Sequence, residues 1–146
     1  MRHQQGLPYT NCLSKRGLSK CSHMAKVLRG CRVSKIHTCF VTNTPSGDKH
    51  VRPLQTASVI GTYLNIPVEQ VALDALPKAS YDEDILIVWH HGDIQAILRH
   101  YTNDTTKFSW DETNYEGCIV IRSPFDWVFH RHYFSKPIRF LNCFLR

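Results

Sequence analysis

The stretch DILIVWHHGDIQAILRHY, residues 84–101, changes its hydrophobic pattern in the middle. Residues 85–89 form an unbroken apolar run that is rich in β-branched side chains and too short for a helix. Such a run predicts a strand buried on both faces, as inside a parallel sheet. After Asp93 the apolar residues recur at helical spacing, which predicts an amphipathic helix. His90 and His91 therefore lie where a strand gives way to a helix.

A histidine pair at such a position is well placed for chemistry, because ligands of open α/β sheets bind just outside the carboxyl ends of the strands. A single histidine there is more often a capping or solvent-facing residue than a catalyst. The remaining sequence has to decide between these two interpretations.

Length and composition predict one globular domain. The chain has 146 residues, of which 42% are hydrophobic and 21% charged, and these values are typical of a domain with its own core. No run of 18 apolar residues and no apolar signal segment occur, so we expect a cytoplasmic chain without a membrane span. The six cysteines match no zinc pattern, so we expect reduced thiols and neither a metal nor another cofactor.

The basic residues are concentrated at the start of the chain. Residues 1–53 carry ten Lys and Arg and one acidic residue, whereas residues 54–121 carry three and ten. A basic half suits an anionic small substrate, and nucleic acid is the less favoured partner. Most of these charges are expected to be ordinary solvated surface.

Strands and helices are predicted to alternate. Two further helices are predicted, from the cap Ser14 to Gly30 and from about residue 51 to Asn65. Two further strands are predicted at residues 37–42 and 117–122. Residues 68–78 form a crossover of a type that the sequence leaves open. This alternation predicts an α/β fold with a mostly parallel sheet.

The last part of the chain, residues 123–146, is dense in aromatic residues with interleaved Arg, Lys and His. One interpretation is a segment that binds a partner or a membrane surface. The other is a poorly packed extension without a function. We favour the second, because no amphipathic stripe is sustained.

Three positions along the chain combine into one candidate site. Arg2 and His3 open the chain, Arg52 begins the second helix, and His91 follows the central strand. Arg52 and His91 both follow strands and would open on the carboxyl edge of the sheet, and Arg2 and His3 would join them if a strand preceded them. Two arginines suit a phosphate dianion, because the guanidinium fork binds phosphate oxygens in pairs. A neutral histidine nitrogen can attack phosphorus and form a phosphohistidine.

Four segments of the chain carry a resemblance to the histidine phosphatase superfamily, also called phosphoglycerate-mutase-like. They are Arg2-His3, NCLSKRG at 11–17, PSGDKHVRPLQTA at 45–57 and ILIVWHHGDI at 85–94. With FSW at 108–110 and residues 115–121, the likeness covers about residues 1–122, and PSGDKHVRPLQTA is its most specific part. It predicts a domain at 1–122 followed by an extension at 123–146.

The resemblance implies a three-layer α/β/α fold with a mostly parallel sheet. It implies a hydrolase that cleaves phosphomonoesters of a small molecule or a phosphoprotein through a phosphohistidine, without a metal. His3 would be the nucleophile, and Arg2 and Arg52 would bind the phosphate. His91 would stabilise the transition state, with His90 as the competing choice.

This chain also departs from the family pattern. Only Met1 precedes Arg2 in this sequence, where the family has an apolar strand, so we expect the first strand of the family fold to be largely missing here. His90 stands where some relatives carry a glutamate, so the proton donor stays open between Asp93 and Glu83. The alternative function is therefore a non-catalytic module that binds phosphorylated partners in a phosphate pocket.

Overall fold

The computed structural model describes residues 12–43, 49–78, 82–111 and 113–135. The helices in these ranges are α1 (Lys15–Leu28), α2 (Arg52–Leu64) and α3 (Ile94–Tyr101), with two short 3-10 helices at Leu73–Ala75 and His91–Asp93. The strands are β1 (Val33–Cys39), β2 (Thr42–Asn43), β3 (Lys49–His50), β4 (Val68–Val71), β5 (Asp84–Val88), β6 (Cys118–Ser123) and β7 (Asp126–His130). The mixture of helices and strands confirms the predicted α/β class.

The centre of the fold is a parallel sheet of three strands in the order β4-β1-β5. Within it, Thr38 of β1 lies opposite Gln70 on one side and Val88 on the other. Helix α2 connects β1 to β4, as expected for parallel neighbours. The prediction of a mostly parallel sheet is therefore confirmed for this central unit, while β2–β3 and β6–β7 form two separate antiparallel pairs.

Strand β5 has one neighbouring strand in the described sheet, β1, and its two faces are buried to different degrees. Leu86 and Val88 are buried, whereas Ile85 and Ile87 are half-buried. Side chains of a strand alternate between the two faces, so Leu86 and Val88 share one face. The predicted burial is therefore complete on the face of Leu86 and Val88 and partial on the face of Ile85 and Ile87, where Ile87 packs against the smaller hydrophobic cluster.

Two element boundaries also differ from the sequence-based prediction. Strand β1 begins four residues earlier than the predicted strand at 37–42, and Thr42 pairs instead with His50 in the antiparallel hairpin. The undecided crossover at 68–78 contains β4, which pairs with β1. Its sequence, VEQV, shows little of the apolar character by which buried strands are predicted.

Hydrophobic clusters cover both faces of the central sheet. The larger cluster joins α1 and α2 to the sheet through residues such as Met24, Ile60 and Val88. The smaller one includes Trp89 and Ile97, with Ile87 packed against it. Because Val88 and Ile87 are adjacent in β5 and point to opposite faces, the two clusters lie on opposite sides of the sheet.

Residues 123–135 are part of the packed body. Strands β6 and β7 pair with Val120 opposite Val128, so the pairing crosses the predicted domain boundary. Tyr133 and Phe134 are each 3% exposed and belong to the larger cluster. The expectation of a poorly packed extension is thus wrong for residues 123–135, and residues 136–146 lie outside the described residues.

No helix within the described ranges combines the length and the apolar character that a membrane span requires.

Replacement of Gly61 by alanine is expected to destabilise the fold. A Cβ atom there would lie 2.7 Å from the Ile66 carbonyl oxygen and 2.7 Å from Val68 Cγ2. Because one of these neighbours is backbone, Gly61→Ala should lower the free energy of unfolding by about 1–3 kcal/mol, as for other overpacked sites. Urea denaturation measures the change. In the control Gly92→Ala, the nearest atom would be His90 Nδ1 at 3.5 Å, so the change should stay below about 1 kcal/mol. Equal losses in both variants would contradict the close contact.

Thiol reactivity should follow burial. Desolvation raises the pKa of Cys21 and of Cys31 to about 11, because burial disfavours the thiolate. Cys12 is exposed, so iodoacetamide near pH 8 should alkylate it well before the other two. The rate at Cys21 should rise roughly tenfold for each added pH unit, since the thiolate fraction rises tenfold below the pKa. Peptide mapping by mass spectrometry measures the order, and equal rates at Cys12 and Cys21 in the folded chain would exclude it.

Candidate functional site

The carboxyl edge of the parallel sheet brings two of the predicted site positions to one side of the fold. Strands β1 and β5 end together, with Thr38 opposite Val88. His91 follows β5 and begins the 3-10 helix that leads into α3. Arg52 is the first residue of α2, which returns the chain from the end of β1 to the start of β4. The turn with His91 and the start of α2 with Arg52 thus both lie on the side of the sheet where β1 and β5 end.

The beginning of α1 lies beside the first turn of α2. Ser14 caps α1, and its Oγ accepts a hydrogen bond of 3.0 Å from the backbone N–H of Gly17. The backbone N–H of Leu13 donates to Oε1 of Gln55 over 2.8 Å. Gln55 is three residues after Arg52, so the chain enters the described structure next to the helix that carries this arginine.

The other two predicted site residues, Arg2 and His3, lie outside the described residues. His3 precedes Cys12 by nine positions, which an extended chain spans with at most about 30 Å. Their predicted roles, as phosphate ligand and nucleophile, stay predictions.

The start of α2 favours an anion. Its first turn has no acidic residue and carries Pro53 within its first two positions. The Nε atom of Arg52 is buried and has no hydrogen-bond partner within the described part of the chain. A helix N-terminus attracts negative charge through its unsatisfied N–H groups and its dipole. The arginine adds a full positive charge at the same place.

Three side chains around the turn after β5 form a cluster that the sequence analysis did not predict. One carboxylate oxygen of Asp93, Oδ2, accepts a hydrogen bond of 2.9 Å from Trp89 Nε1. The same oxygen lies 2.9 Å from His90 Nε2. Trp89 is buried, while the side chain of His90 is 42% exposed. Asp93 therefore holds both the buried indole and the histidine next to His91.

The spacing of this cluster, i to i+3 and i to i+4 on either side of a turn, was visible in the sequence and is the signal that could have predicted it. Asp93 was predicted as a proton donor, and its Oδ2 is used here as an acceptor. That contact gives Asp93 a role in positioning His90, the residue that competes with His91 for the second histidine of the site.

The other candidate proton donor, Glu83, is at the wrong end of the sheet. Its carboxylate accepts a hydrogen bond of 2.6 Å from Ser34 Oγ and pairs with Lys35 Nζ at 3.0 Å. The hydrogen bonds from Ser34 and Lys35 lower the pKa of Glu83. Both partners are near the start of β1, about 17 Å along β5 from its carboxyl end for a five-residue strand. Glu83 is therefore excluded as the donor at a site beside His91.

A buried histidine in β1 is the second feature that the sequence analysis missed. His37 is 5% exposed, and its Nδ1 lies 3.7 Å from Oε2 of Glu69, its neighbour across the parallel pair. Neither ring nitrogen has a hydrogen-bond partner among the residues described. At 3.7 Å the contact with Glu69 is longer than a hydrogen bond. No sequence signal marks His37, because it stands within an ordinary strand pattern.

The described ranges contain no cluster of three or more His, Cys, Asp or Glu side chains arranged to hold a metal ion.

Comparison of the chain with protein-family models, with curated proteins and with solved structures found no match. The resemblance to the histidine phosphatase superfamily therefore stands on the sequence motifs themselves.

Removal of the Asp93 carboxylate is expected to destabilise the turn that carries both histidines. Asp93→Ala leaves Trp89 Nε1, on a residue that is 2% exposed, without its acceptor, and an unsatisfied buried donor costs about 1–3 kcal/mol. Urea unfolding measures the loss. The exposed Asp82 provides a matched control, and Asp82→Ala should change stability by less than about 0.5 kcal/mol.

A double-mutant cycle with Trp89→Phe isolates the bond between Trp89 and Asp93. The two changes together should cost less than the sum of the single changes, by about 0.5–3 kcal/mol. Strict additivity would show that this hydrogen bond contributes nothing to stability.

Proposed function

We propose that this protein is a phosphomonoester hydrolase of the histidine phosphatase type. The observation that carries the proposal is the sheet edge at which β1 and β5 end: His91 follows β5, and Arg52 begins the helix that leads from this edge to the start of β4. The RH, RPLQTA and HHG motifs stand in the family order along the chain. Arg2 and His3 complete the set of two arginines and two histidines around one phosphate.

The fold that this proposal requires is a three-layer α/β/α arrangement. Its support is the pair of hydrophobic clusters on opposite faces of the central sheet, one formed with α1 and α2 and the other with Ile97 of α3. Further support comes from the bond between Leu13 and Gln55, because it brings the chain that follows His3 to the helix that begins with Arg52.

The reaction proceeds in two displacements. A lone pair of a neutral His3 ring nitrogen attacks phosphorus, the bond from phosphorus to the ester oxygen breaks, and the leaving oxygen takes a proton from a general acid. Water then attacks the phosphohistidine and loses a proton, the bond from nitrogen to phosphorus breaks, and inorganic phosphate leaves. Arg2, Arg52 and His91 stabilise the negative charge of the transferring group in both steps.

The general acid in this scheme is the side chain of Asp93 or that of His90. His90 Nε2 and Asp93 Oδ2 are 2.9 Å apart, so the two side chains can hydrogen-bond to each other. The side chain of His90 is more exposed than that of Asp93. His90 is therefore the residue of the pair that the leaving group contacts more easily.

A phosphatase assay on the full chain tests the proposal. With an aryl phosphate at mildly acidic pH, His3→Ala should abolish release of phosphate, and Arg52→Ala or His91→Ala should reduce kcat about 100-fold or more, since each removes a hydrogen-bonding group that stabilises the transition state. His50→Ala is the matched control. His50 is exposed, pairs with Thr42 in the hairpin and has no role in the scheme, so its replacement should leave the rate unchanged.

Intact mass measurement after rapid acid-free quenching should show a phosphoryl adduct that His3→Ala removes. Equal rates for the wild-type chain and His3→Ala would refute the hydrolase. Salt-sensitive binding of a phosphorylated peptide without any turnover would instead establish the alternative, a phosphate-binding module.

A further inference from the structure

The outward face of helix α1 is a stripe of cations separated by short polar side chains. Its residues recur at spacings of four and three, which places them on one side of the helix, and all of them are exposed. They are Lys15, Ser19, Ser22, Lys26 and Arg29, the last of which is the C-cap of the helix. We call this set the α1 stripe. From Lys15 to Arg29 the helix rises about 21 Å.

The layer of the fold that carries the α1 stripe contains no acidic residue. Residues 1–47 of the sequence have neither Asp nor Glu, and α2, which packs with α1 in the larger hydrophobic cluster, has none either. Within the described ranges α1 forms an ion pair through Lys20, which lies 4.0 Å from Glu116 and is on the flank of the helix outside the stripe. The stripe therefore presents a field of one sign to solvent, which attracts anions.

An aromatic side chain and a hollow lie at one end of the stripe. Cζ of Arg29 is 5.0 Å from the ring centroid of Tyr63, near the end of α2. The side chain of Tyr63 is partly exposed, at 37%. Both residues border a hollow of about 220 Å³ together with Leu64 and Ile66. An exposed aromatic ring next to a guanidinium group is a surface on which a nucleobase can stack.

We propose that the α1 stripe binds single-stranded nucleic acid, with phosphates along the cations and one base stacked at Arg29 and Tyr63. Lys and Arg are common donors to phosphate oxygens. The short side chains of Ser19 and Ser22 let a strand approach the helix between the cations. A positively charged track combined with an aromatic ring is the usual means by which proteins bind single strands without reading their sequence.

The direction of the stripe distinguishes it from the candidate phosphate site. The chain enters α1 beside Gln55, in the first half of α2, through the bond with Leu13, and α1 ends beside Tyr63. The stripe thus begins near the end of α2 that carries Arg52 and runs away from it for about 21 Å. A small phosphate ester can contact one end of the stripe, whereas a chain of phosphates can contact all of it. The proposal therefore holds whether or not the protein cleaves phosphate esters.

The burial pattern of α1 favours nucleic acid over an anionic membrane. A helix that lies on a bilayer inserts its apolar face, and the apolar face of α1 is buried in the larger hydrophobic cluster through residues such as Met24 and Leu28. The exposed large apolar side chain of α1 is Leu18, at 41%. The outward face thus offers charge without the apolar surface that anchors a helix in lipid.

Titration of the full chain into a labelled oligouridylate of about 12 nucleotides, a length within the usual site sizes, tests the proposal by fluorescence anisotropy. The variant Lys15→Ala with Lys26→Ala should raise Kd about 25-fold at about 0.1 M salt, since each lost phosphate contact changes the affinity about fivefold at this concentration. The slope of log affinity against log salt should decrease in magnitude by about 1.4, because each contact with a single strand contributes about 0.7.

The matched control is Lys78→Ala with Lys107→Ala, which removes the same charge. Both lysines are exposed. They follow Pro77 and Thr106, whose carbonyl oxygens accept hydrogen bonds from side chains of α3, on the other side of the sheet from α1. The Kd and the salt slope of this variant should match those of the wild-type chain. Equal losses in the two double variants would show attraction to net charge alone and would overturn the proposal.

Replacement of the aromatic ring tests the base contact separately. Tyr63→Ala should raise Kd roughly tenfold and leave the salt slope unchanged, because it removes a stacking surface and no charge. Tyr63→Phe keeps the ring and should bind like the wild-type chain. Equal Kd values for these two variants would overturn the proposal, and so would a duplex that binds as tightly as the single strand and is insensitive to Tyr63→Ala.

Two further measurements keep the outcome decisive. If Tyr63→Ala unfolds, as circular dichroism would show, ultraviolet cross-linking of the wild-type chain to the oligouridylate decides. A cross-link at Tyr63 supports the proposal, and cross-links confined to residues outside α1 and α2 overturn it. Co-sedimentation with phosphatidylserine vesicles in the absence of oligonucleotide binding would identify a membrane surface instead, which also overturns it.

Discussion

The parallel pairing of β1 with β5 is the constraint on which the rest of the structure depends. It aligns the two strand ends, with Thr38 opposite Val88, and so fixes one edge at which the segments after both strands emerge. The two segments are of different kinds, since β1 leads through a hairpin to Arg52 and β5 leads directly to the histidine pair. A shift of this pairing by one residue would turn the apolar side chains of β5 to the wrong faces.

Packing on the two faces of the sheet stabilises the register of β1 with β5. Val88 is fully buried against the α1 and α2 side, while the adjacent Trp89 is buried in the cluster on the other side. The indole N–H of Trp89 is satisfied by Asp93 across the turn. Core packing and the geometry of the candidate site are thus linked through two consecutive residues. Val88 belongs to the core on one face of the sheet, and Trp89 supports the turn that carries the histidines.

The sequence predicted the elements with a strong period and missed those without one. Helices α1 and α2 and the helix after the histidines were found at close to their observed positions, because their apolar residues recur at helical spacing. The secondary structure of β4 could not be predicted, because two of the four residues in VEQV are polar. Its pairing with β1 is evident only in the folded structure. Tyr133 and Phe134 are adjacent and follow no helical or strand period, so their burial could not be predicted from the sequence.

Some features of the candidate site could likewise be predicted from the sequence, whereas others required the structure. The positions of Arg52 and His91 after strands follow from local pattern, and a common edge follows from parallel topology. The exclusion of Glu83 required the contact with Ser34 and Lys35, which are 48 to 49 positions away in sequence. The burial of His37 could not be predicted, because it depends on the neighbouring strands and not on the local sequence.

The central position of β1 has a consequence for how the chain folds. Its partner in β5 lies 50 positions further along at Thr38 and Val88 (88 − 38), and its partner in β4 lies 32 positions further at Ile36 and Val68 (68 − 36). Every pairing in the sheet therefore requires the closure of a long loop, which costs conformational entropy before the strand contacts stabilise the structure. Domains dominated by such distant pairings fold slowly. During synthesis β1 can therefore pair with both neighbouring strands only after the chain has been made as far as Val88.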